Sequence, residues 1–356
     1  MYREHTVGVV IPAYNEEGFI GDVIHEMPQY VDRIFVIDDC STDDTWSEIL
    51  EAARQDADRD VEDDPARATD SASDRLHSDG GRSLLTERAT VHEPVGRVVP
   101  VEHRENLGAG GAIKTGYLAA HTDGADITVT VDGDGQMDLS QMTRLLDPIV
   151  EDEADYAKGN RLLNAEYRAE MPQFRLVGNW MLTVLTKIAS GYWKTMDPQN
   201  GYTAISLEAL EAVSLEEVAE YYGYCNDLLI KLNIEGMRVA DVAMPAVYGE
   251  EESSIEYSEY IPKVSSMLLR GFLGRLQTKY LIRDFHPLAL FYYLGAGSVG
   301  LGLLAGLRSL YARATDAESG GALESFQVVL MGCFSLLSAM VLDLRENEEL
   351  ETQLEE

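Results

Sequence analysis

The chain has 356 residues, of which 45% are hydrophobic, so it can bury a large core and is not expected to be disordered. It carries 62 Asp and Glu against 28 Lys and Arg, a formal net charge of -34. This balance argues against a nucleic-acid partner, because a phosphate-tracking surface needs clustered basic residues. Only seven of the basic residues are Lys, and a carboxylate-rich, Lys-poor composition is typical of a high-salt cytoplasm, where ions screen self-repulsion.

The three cysteines, Cys40, Cys225 and Cys333, are far apart in the sequence. Their spacing predicts neither a zinc site nor a disulfide framework, which fits a reducing compartment. The first residues contain no apolar signal-peptide core and turn at once into a strand pattern. We therefore expect membrane attachment to depend on the C-terminal region.

Short apolar runs alternate with helical spacing over the first 130 residues. The predicted strands are Thr6–Pro12, Arg33–Asp38, Val98–Glu102 and Ile127–Val131, and the predicted helices are Glu16–Met27, Asp43–Arg54 and Ala109–His121. This alternation predicts an α/β fold, Rossmann-like, with a mostly parallel sheet. Mixed helices and short strands continue to about residue 249, so we expect a catalytic domain over residues 1–250.

The alternation stops over residues 55–95, which are rich in acids, Ser and Gly and contain almost no aromatic residues. Such a composition predicts a flexible, solvated insertion. A regulatory arm is the other interpretation, and the sequence leaves both open.

Basic residues are concentrated in the segment Pro262–Phe285, in contrast with the acidic remainder of the chain. They are set among apolar residues at helical spacing, and they are Lys263, Arg270, Arg275, Lys279 and Arg283. This pattern is typical of an amphipathic helix on an anionic membrane surface. We therefore predict a membrane-surface segment over residues 251–285.

Two uncharged runs follow, Leu288–Leu307 and Ser325–Leu342, of twenty and eighteen residues. Each is long enough to cross a hydrocarbon core of about 30 Å. They predict a transmembrane helical hairpin, followed by an acidic tail, over residues 286–356. The alternative is two buried helices of a soluble domain, because glycines make the first run only moderately hydrophobic. Since the basic residues precede Phe285, the positive-inside rule predicts a multi-pass protein of the cell membrane whose catalytic domain and both termini face the cytoplasm.

Acidic clusters follow three of the predicted strands. The first strand leads into VVIPAYNEE, the second into DDCSTD and the fourth into DGDGQ. Ligands of open α/β sheets bind beyond the carboxyl ends of the strands, so the three clusters should meet in one crevice. Carboxylates that face an anionic ligand make chemical sense when a divalent cation bridges them, and hard oxygen ligands suit Mg²⁺ or Mn²⁺.

Together with the Gly-rich turn ENLGAGGAIKTGY, these motifs resemble glycosyltransferase family 2, and within it the polyprenyl-phosphate sugar synthases such as dolichol-phosphate mannose synthase. The resemblance covers roughly residues 6–249, apart from the insertion. It implies a metal-dependent GT-A catalytic domain. It also implies a nucleotide-sugar donor such as GDP-mannose or a UDP-hexose, and a polyprenyl or dolichyl phosphate acceptor.

The resemblance implies roles at the nucleoside. Pro12, Ala13, Tyr14 and Glu16 match the family motif that frames the nucleoside, with Glu16 expected at the ribose hydroxyls. Asp39 matches the carboxylate that contacts the base.

The resemblance also implies roles at the diphosphate. Asp132 and Asp134 match the D-x-D pair that binds the metal, and Gln136 follows it as in the lipid-phosphate branch. Lys114, on the helix after the Gly-rich turn, faces either the diphosphate or solvent. Cys40 replaces the usual Gly at its position, which is expected to affect the backbone φ angle of that loop.

Two further motifs are implied on the acceptor side. Arg161, in GNR, matches the family's G-x-R, whose guanidinium would meet a phosphate. The run from Asp197 through Gly201 to Tyr202 resembles the D-x-x-x-G-[FY] element of the lipid-phosphate branch. The Arg that usually follows is Thr203 here, which weakens any claim about acceptor-phosphate contact at that position.

The family reaction inverts the anomeric centre by direct displacement, and the catalytic residues implied are Asp134, Arg161 and Asp227. Asp227 stands where many members carry an acidic residue near the acceptor, and it could instead cap the helix that begins at Leu228. A glycan-elongating transferase would need it as a general base for a sugar hydroxyl. A catalytically silent nucleotide-sugar-binding membrane protein is the third hypothesis, and the intact pair Asp132 and Asp134 argues against it.

Overall fold

The computed structural model describes residues 1–63, 79–163, 173–221, 223–245, 257–314 and 322–354. Its strands are β1 Val7–Ala13, β2 Arg33–Asp38, β3 Ala89–Val91, β4 Val98–His103, β5 Ile127–Thr130, β6 Tyr156–Asn160, β7 Thr203–Ser206, β8 Val239–Ala243 and β9 Glu351–Leu354. Within the described ranges they form a nine-stranded sheet in the order β3-β4-β2-β1-β5-β7-β6-β8-β9.

The sheet is mostly parallel. Strands β4, β2, β1 and β5 run parallel, as do β6, β8 and β9. Strand β7 is antiparallel to both β5 and β6, and β3 is antiparallel to β4. The predicted α/β class with a mostly parallel sheet is confirmed.

Helices cover both faces of the sheet. They are α1 Ile20–Glu26, α2 Thr45–Asp63, α3 Asp79–Arg88, α4 Gly108–Asp123, α5 Met142–Val150, α6 Gln173–Ser190, α7 Leu207–Ala212, α8 Tyr224–Ile234, α9 Tyr257–Gln277, α10 Leu288–Ala314 and α11 Ala322–Glu346. Val9 and Ile11 of β1 pack with α1, α2 and α5, whereas Val10 packs with α4 and α8. This alternation of side chains along a central strand buries both faces of the sheet.

The expected flexible insertion is partly regular. Helix α2 continues through residues 55–63, and α3 and β3 occupy residues 79–91; residues 64–78 of the predicted insertion lie outside the described residues. The buried ion pair between Asp56 and Arg97, with Oδ1 and Nη2 2.8 Å apart, anchors the extended α2 to the turn before β4. The helix therefore ends nine residues later than the acidic composition of residues 55–95 indicated, at Asp63 rather than Arg54.

Helices α10 and α11 lie side by side as an apolar hairpin. A Cβ atom at Gly295 would lie 2.8 Å from Leu336 Cγ, and one at Gly302 would lie 2.6 Å from Val329 Cγ2, so glycine permits the close approach. The stretches Leu288–Ala312 and Leu323–Glu346 each contain an 18-residue window, with mean hydropathies of 1.7 and 2.0, and are long and apolar enough to cross a membrane. Most of their side chains are exposed in the described structure, as expected where lipid rather than protein surrounds a helix.

The basic segment before the hairpin differs from the prediction. Helix α9 and a π-helical turn at Thr278–Arg283 occupy it, but Arg275 is fully buried against Asp343. The Lys279 ammonium donates to Asn347 Oδ1 at 2.9 Å and to the Asn233 carbonyl at 2.8 Å. Arg275 and Lys279 therefore face the protein rather than lipid headgroups, because a buried cation needs internal acceptors.

Candidate active site

The ends of three neighbouring strands meet at one edge of the sheet. Strand β1 lies between β2 and β5, so the loops that follow these strands are adjacent. A Cβ atom at Gly133 would lie 2.9 Å from the Pro12 carbonyl oxygen and 3.5 Å from Glu16 Cγ. The predicted convergence of these strand ends is thus present, with the D-x-D loop packed against the loop after β1.

A pocket of about 190 Å³ opens beside this edge. Predicted donor-side and acceptor-side residues share its wall, and they include Asp132, Asp134, Gln136, Arg161, Gly201 and Tyr202. A Cβ atom at Gly201 would lie 3.2 Å from Asp132 Oδ1, so the glycine lets the loop before β7 approach the D-x-D carboxylate. The Tyr202 side chain is buried, and its hydroxyl donates to the Asp138 carbonyl at 3.3 Å.

The two carboxylates of the D-x-D loop suit a shared cation. The pKa of Asp132 is raised to about 7, chiefly by burial and also by the nearby Asp134 carboxylate, while Arg161 opposes both effects. In the described ranges no group of three or more His, Cys, Asp or Glu side chains could hold a metal by itself. Two carboxylates beside an open pocket fit Mg²⁺ or Mn²⁺, which commonly bind one or two protein carboxylates together with substrate phosphates.

Arg161 and Asp197 join the strand end of β6 to the loop before β7. The Arg161 guanidinium donates from Nε at 2.7 Å and from Nη2 at 2.9 Å to the two oxygens of Asp197. Although burial acts to raise the pKa of Asp197, the Arg161 hydrogen bond and charge hold it below its usual value. Arg161 remains about a third exposed, so its guanidinium reaches the pocket wall although it is paired with Asp197.

A buried polar network beneath this pair was not predicted from the sequence. Lys158 and Asp241 are almost fully buried with Nζ and Oδ1 2.9 Å apart, and Asn160 Nδ2 donates to Asp241 Oδ2 at 2.6 Å. The Met196 backbone N–H also donates to Asp241 at 2.6 Å. The sequence signal was a Lys within an otherwise buried strand, which requires an internal partner.

The loop after β1 carries the residues predicted at the nucleoside. Pro12 and Ala13 end the strand, Tyr14 is about half exposed, and the Glu16 backbone N–H donates to Thr45 Oγ1 at 2.8 Å. These residues line the same edge as the D-x-D loop, and their contacts with a nucleoside stay a prediction.

The Asp39 carboxylate makes its hydrogen bonds within the protein. It accepts hydrogen bonds from the backbone N–H groups of Leu107 at 2.7 Å and Gly108 at 2.8 Å, and it lies 2.7 Å from His103 Nδ1. It therefore holds the Gly-rich turn, whereas Asp38 keeps a buried oxygen without a hydrogen-bond partner in the described structure. The predicted base contact of Asp39 would have to be made from a buried, already bonded group.

Lys114 requires a correction. The side chain faces neither solvent nor the pocket that Asp132 and Asp134 line, because it is buried and its ammonium donates to the Glu216 carbonyl at 2.6 Å and to Glu220 Oε1 at 3.0 Å. Arg88 donates to the same Glu220 oxygen at 2.6 Å. Lys114 thus docks the loop before α8 onto α4.

The alternative interpretation of Asp227, as the N-cap of a helix, is wrong. Asp227 lies within the first turn of α8, and the N-cap residue of that helix is Gly223, so Asp227 is not the cap. Its carboxylate accepts a hydrogen bond from the Ala219 backbone N–H at 2.9 Å and lies 3.5 Å from Lys231. Asp227 is nearly buried, and it does not line the pocket that Asp132 and Arg161 share.

Comparisons with known proteins agree with these motifs. The family model described as glycosyl transferase family 2 matches residues 8–65 and 78–214. The chain is 29% identical over 243 residues to a UDP-N-acetylglucosamine–dolichyl-phosphate N-acetylglucosaminyltransferase of Methanococcus voltae, covering 68% of this chain and 86% of that protein. It is also 29% identical to a polyprenol monophosphomannose synthase of Mycolicibacterium smegmatis, covering 75% and 88%.

Among solved structures, glucosyl-3-phosphoglycerate synthase from Mycobacterium tuberculosis, in complex with uridine diphosphate, superposes with a TM-score of 0.47 at 20% identity. The superposition covers 76% of this chain and 80% of that one. The family model itself matches more than half of the chain and includes the strand-end motifs around the pocket. The chain therefore belongs to glycosyltransferase family 2.

Proposed function

We propose that the protein is an inverting glycosyltransferase that moves a sugar from a nucleotide diphosphate donor to a polyprenyl or dolichyl phosphate at the cytoplasmic face of the membrane. The observation that carries the proposal is the shared pocket, which is lined by the carboxylates of Asp132 and Asp134 and by Arg161, the partner of the buried Asp197. The two carboxylates suit a cation-bound diphosphate. The guanidinium suits an acceptor phosphate.

On the donor side, Asp132 and Asp134 would hold Mg²⁺ or Mn²⁺, which supplies charge neutralisation for the departing nucleotide diphosphate. The loop of Pro12, Ala13, Tyr14 and Glu16 would orient the nucleoside of a UDP- or GDP-sugar. Gln136, whose backbone N–H donates to Asp134 Oδ1 at 2.9 Å, helps to fix the carboxylate in place. Because the D-x-D loop is already held in place, its carboxylates would need less rearrangement during sugar transfer.

On the acceptor side, Asp197 sets the direction of the Arg161 fork through two parallel hydrogen bonds. A phosphate monoester has a second pKa near 6, so at neutral pH its oxygen is already largely ionised. Such an acceptor needs no general base, and Asp227 is engaged with Ala219 and Lys231. This favours a lipid phosphate over a sugar hydroxyl as the acceptor.

Membrane attachment would place the pocket at headgroup level. Apolar side chains are exposed on the hairpin and also on two helices that precede it, α6 and α9, where they are Trp180, Met181, Leu185, Ile261, Leu269 and Leu273. Exposed Lys263 and Arg270 lie on α9 beside them. A surface that is apolar with basic residues at its border suits the interface of an anionic leaflet.

The test is transfer by membranes that contain the full chain, incubated with a panel of labelled UDP- and GDP-sugars and a polyprenyl phosphate. The expected product is a labelled lipid that partitions into organic solvent in the presence of Mg²⁺ or Mn²⁺. Asp134→Asn should abolish it, whereas Asp58→Asn, an exposed carboxylate on α2, should not.

Other outcomes would contradict the proposal. Label that stays in a water-soluble glycan would favour the hydroxyl-acceptor enzyme. Donor binding without transfer or donor hydrolysis would favour a silent binding protein.

A further inference from the structure

After the hairpin, the chain returns to the catalytic domain. Strand β9, Glu351–Leu354, pairs in parallel with β8, with Val239 opposite Glu351 and Val242 opposite Leu354. The tail is therefore part of the sheet that carries the pocket.

The Glu351 side chain is nearly buried and binds the backbone N–H groups of the loop at residues 193–195. Its Oε1 accepts a hydrogen bond from the Trp193 backbone N–H at 2.7 Å, and its Oε2 accepts from the N–H groups of Lys194 at 2.7 Å and Thr195 at 2.9 Å. Burial raises the pKa of Glu351, and these three donors oppose that effect. Hydrogen bonds to an ionised acceptor in a buried place are strong.

The tail holds the same loop through two further bonds. Gln353 Nε2 donates to the Lys194 carbonyl at 2.9 Å, and Lys194 Nζ donates to the Glu348 carbonyl at 3.1 Å. Residues 193–195 are thus bound to the tail by backbone and side-chain groups.

The held segment leads directly to the pocket. Met196 follows it and is bound to Asp241, and Asp197, with a left-handed φ of 48°, pairs with Arg161. Four residues further, Gly201 lies against the Asp132 carboxylate. A shift at residues 193–195 would therefore be passed to Arg161 and to the acceptor-side wall.

The other end of the tail is tied to the membrane hairpin. Asn347 follows α11, and its Nδ2 donates to the Asp343 carbonyl at 2.7 Å and to the Tyr280 hydroxyl at 2.9 Å. Asp343 in turn pairs with Arg275 of α9. The position of β9 consequently depends on how α11 sits against the catalytic unit.

We propose that Glu351 is a positioning residue of the transferase, which sets the acceptor-side wall through the backbone of residues 193–195 and so couples that wall to the membrane hairpin. The inference rests on the proposed function, because it assigns the wall of Arg161 and Asp197 to the acceptor. Glu351 does not touch the pocket itself.

The experiment compares full-length chains in nanodiscs of anionic phospholipid, with the KM for polyprenyl phosphate and the KM for the donor measured separately. Glu351→Gln keeps the size of the side chain but leaves one acceptor oxygen for three N–H donors, so at least one of them loses its partner. We expect the acceptor KM to rise about tenfold or more and the donor KM to stay within about twofold. Glu351→Asp should restore part of the loss, and Thr352→Ala, on the neighbouring position of β9, is the control and should behave as wild type.

Hydrogen exchange provides a readout independent of transfer. In Glu351→Gln, residues 193–201 should exchange faster, while residues 132–136 should keep the wild-type rate. An unchanged acceptor KM, or a lower kcat with both KM values unchanged as from a smaller folded fraction, would overturn the inference. Wild-type chain that makes no lipid-linked sugar would refute the proposed function instead, before any variant is compared.

Discussion

Replacing Asp343 with Asn tests how firmly the apolar hairpin is joined to the catalytic unit. Asp343 and Arg275 are both fully buried, and the guanidinium donates from Nη1 at 2.9 Å and Nη2 at 2.7 Å to the two carboxylate oxygens. Removing one partner of a buried pair leaves an uncompensated charge and costs about 3–5 kcal/mol. At about 2 °C per kcal/mol for a chain of this size, the apparent Tm should fall by about 6–10 °C.

The assay is thermal unfolding of the purified chain in nanodiscs, with Arg283→Ala as the matched control. Arg283 pairs with Glu235 at 2.7 Å but is about half exposed, so its loss should cost only about 0–1 kcal/mol. The double variant Arg275→Met with Asp343→Leu should lie closer to wild type than Asp343→Asn, because it removes both charges. The reasoning is refuted if Asp343→Asn unfolds within about 2 °C of wild type.

Three further predictions concern the site. Asp227→Asn should lower single-turnover transfer to polyprenyl phosphate less than about tenfold, because it weakens contacts of a loop; loss of a general base would cost about 10²–10⁴-fold. Because the folded pKa of Asp197 is held below its unfolded value near 4, its charge stabilises the fold at neutral pH, and the Tm difference between wild type and Asp197→Asn should vanish as the pH falls through the folded value. A Tm difference that stays constant to pH 2 would contradict this. Gly201→Ala should slow transfer about fivefold or more by displacing Asp132, with Tm nearly unchanged, and a wild-type rate would show that the loop can accommodate the methyl group.

The sheet and the meeting of its strand ends could be predicted because buried strands leave a strong local signal. Strand β2 was predicted with its observed bounds, Arg33–Asp38, since five of its six residues are buried and its ends are polar. Cys40 was expected to affect the backbone φ of its loop, but its φ of 62° lies in the left-handed region that the usual Gly favours. Local pattern and parallel topology together were sufficient to predict that the ends of β1, β2 and β5 meet.

Strand β9 and the extension of α2 could not be predicted in the same way. The tail ELETQLEE is acidic and has little β-branched content, so its composition indicates a solvated end. It is a strand because β8 offers an edge to pair with and because Glu351 finds three backbone donors 156 to 158 residues earlier in the chain. These are tertiary effects that override local propensity.

The basic residues show why the position of a cation in the sequence does not reveal whether its side chain faces solvent or a buried partner. In a chain with 62 acidic and 28 basic residues, each cation has many possible internal partners. Four of the pairs found join residues more than 40 positions apart, and they are Arg97 with Asp56, Lys114 with Glu220, Lys158 with Asp241, and Arg275 with Asp343. The cations of these pairs are nearly or fully buried, so none of them is available to an external phosphate. Arg161 differs because its partner Asp197 is buried while the guanidinium itself reaches the pocket wall. Its position at the pocket wall, which depends on tertiary structure, therefore sets Arg161 apart from the buried cations that hold the fold together.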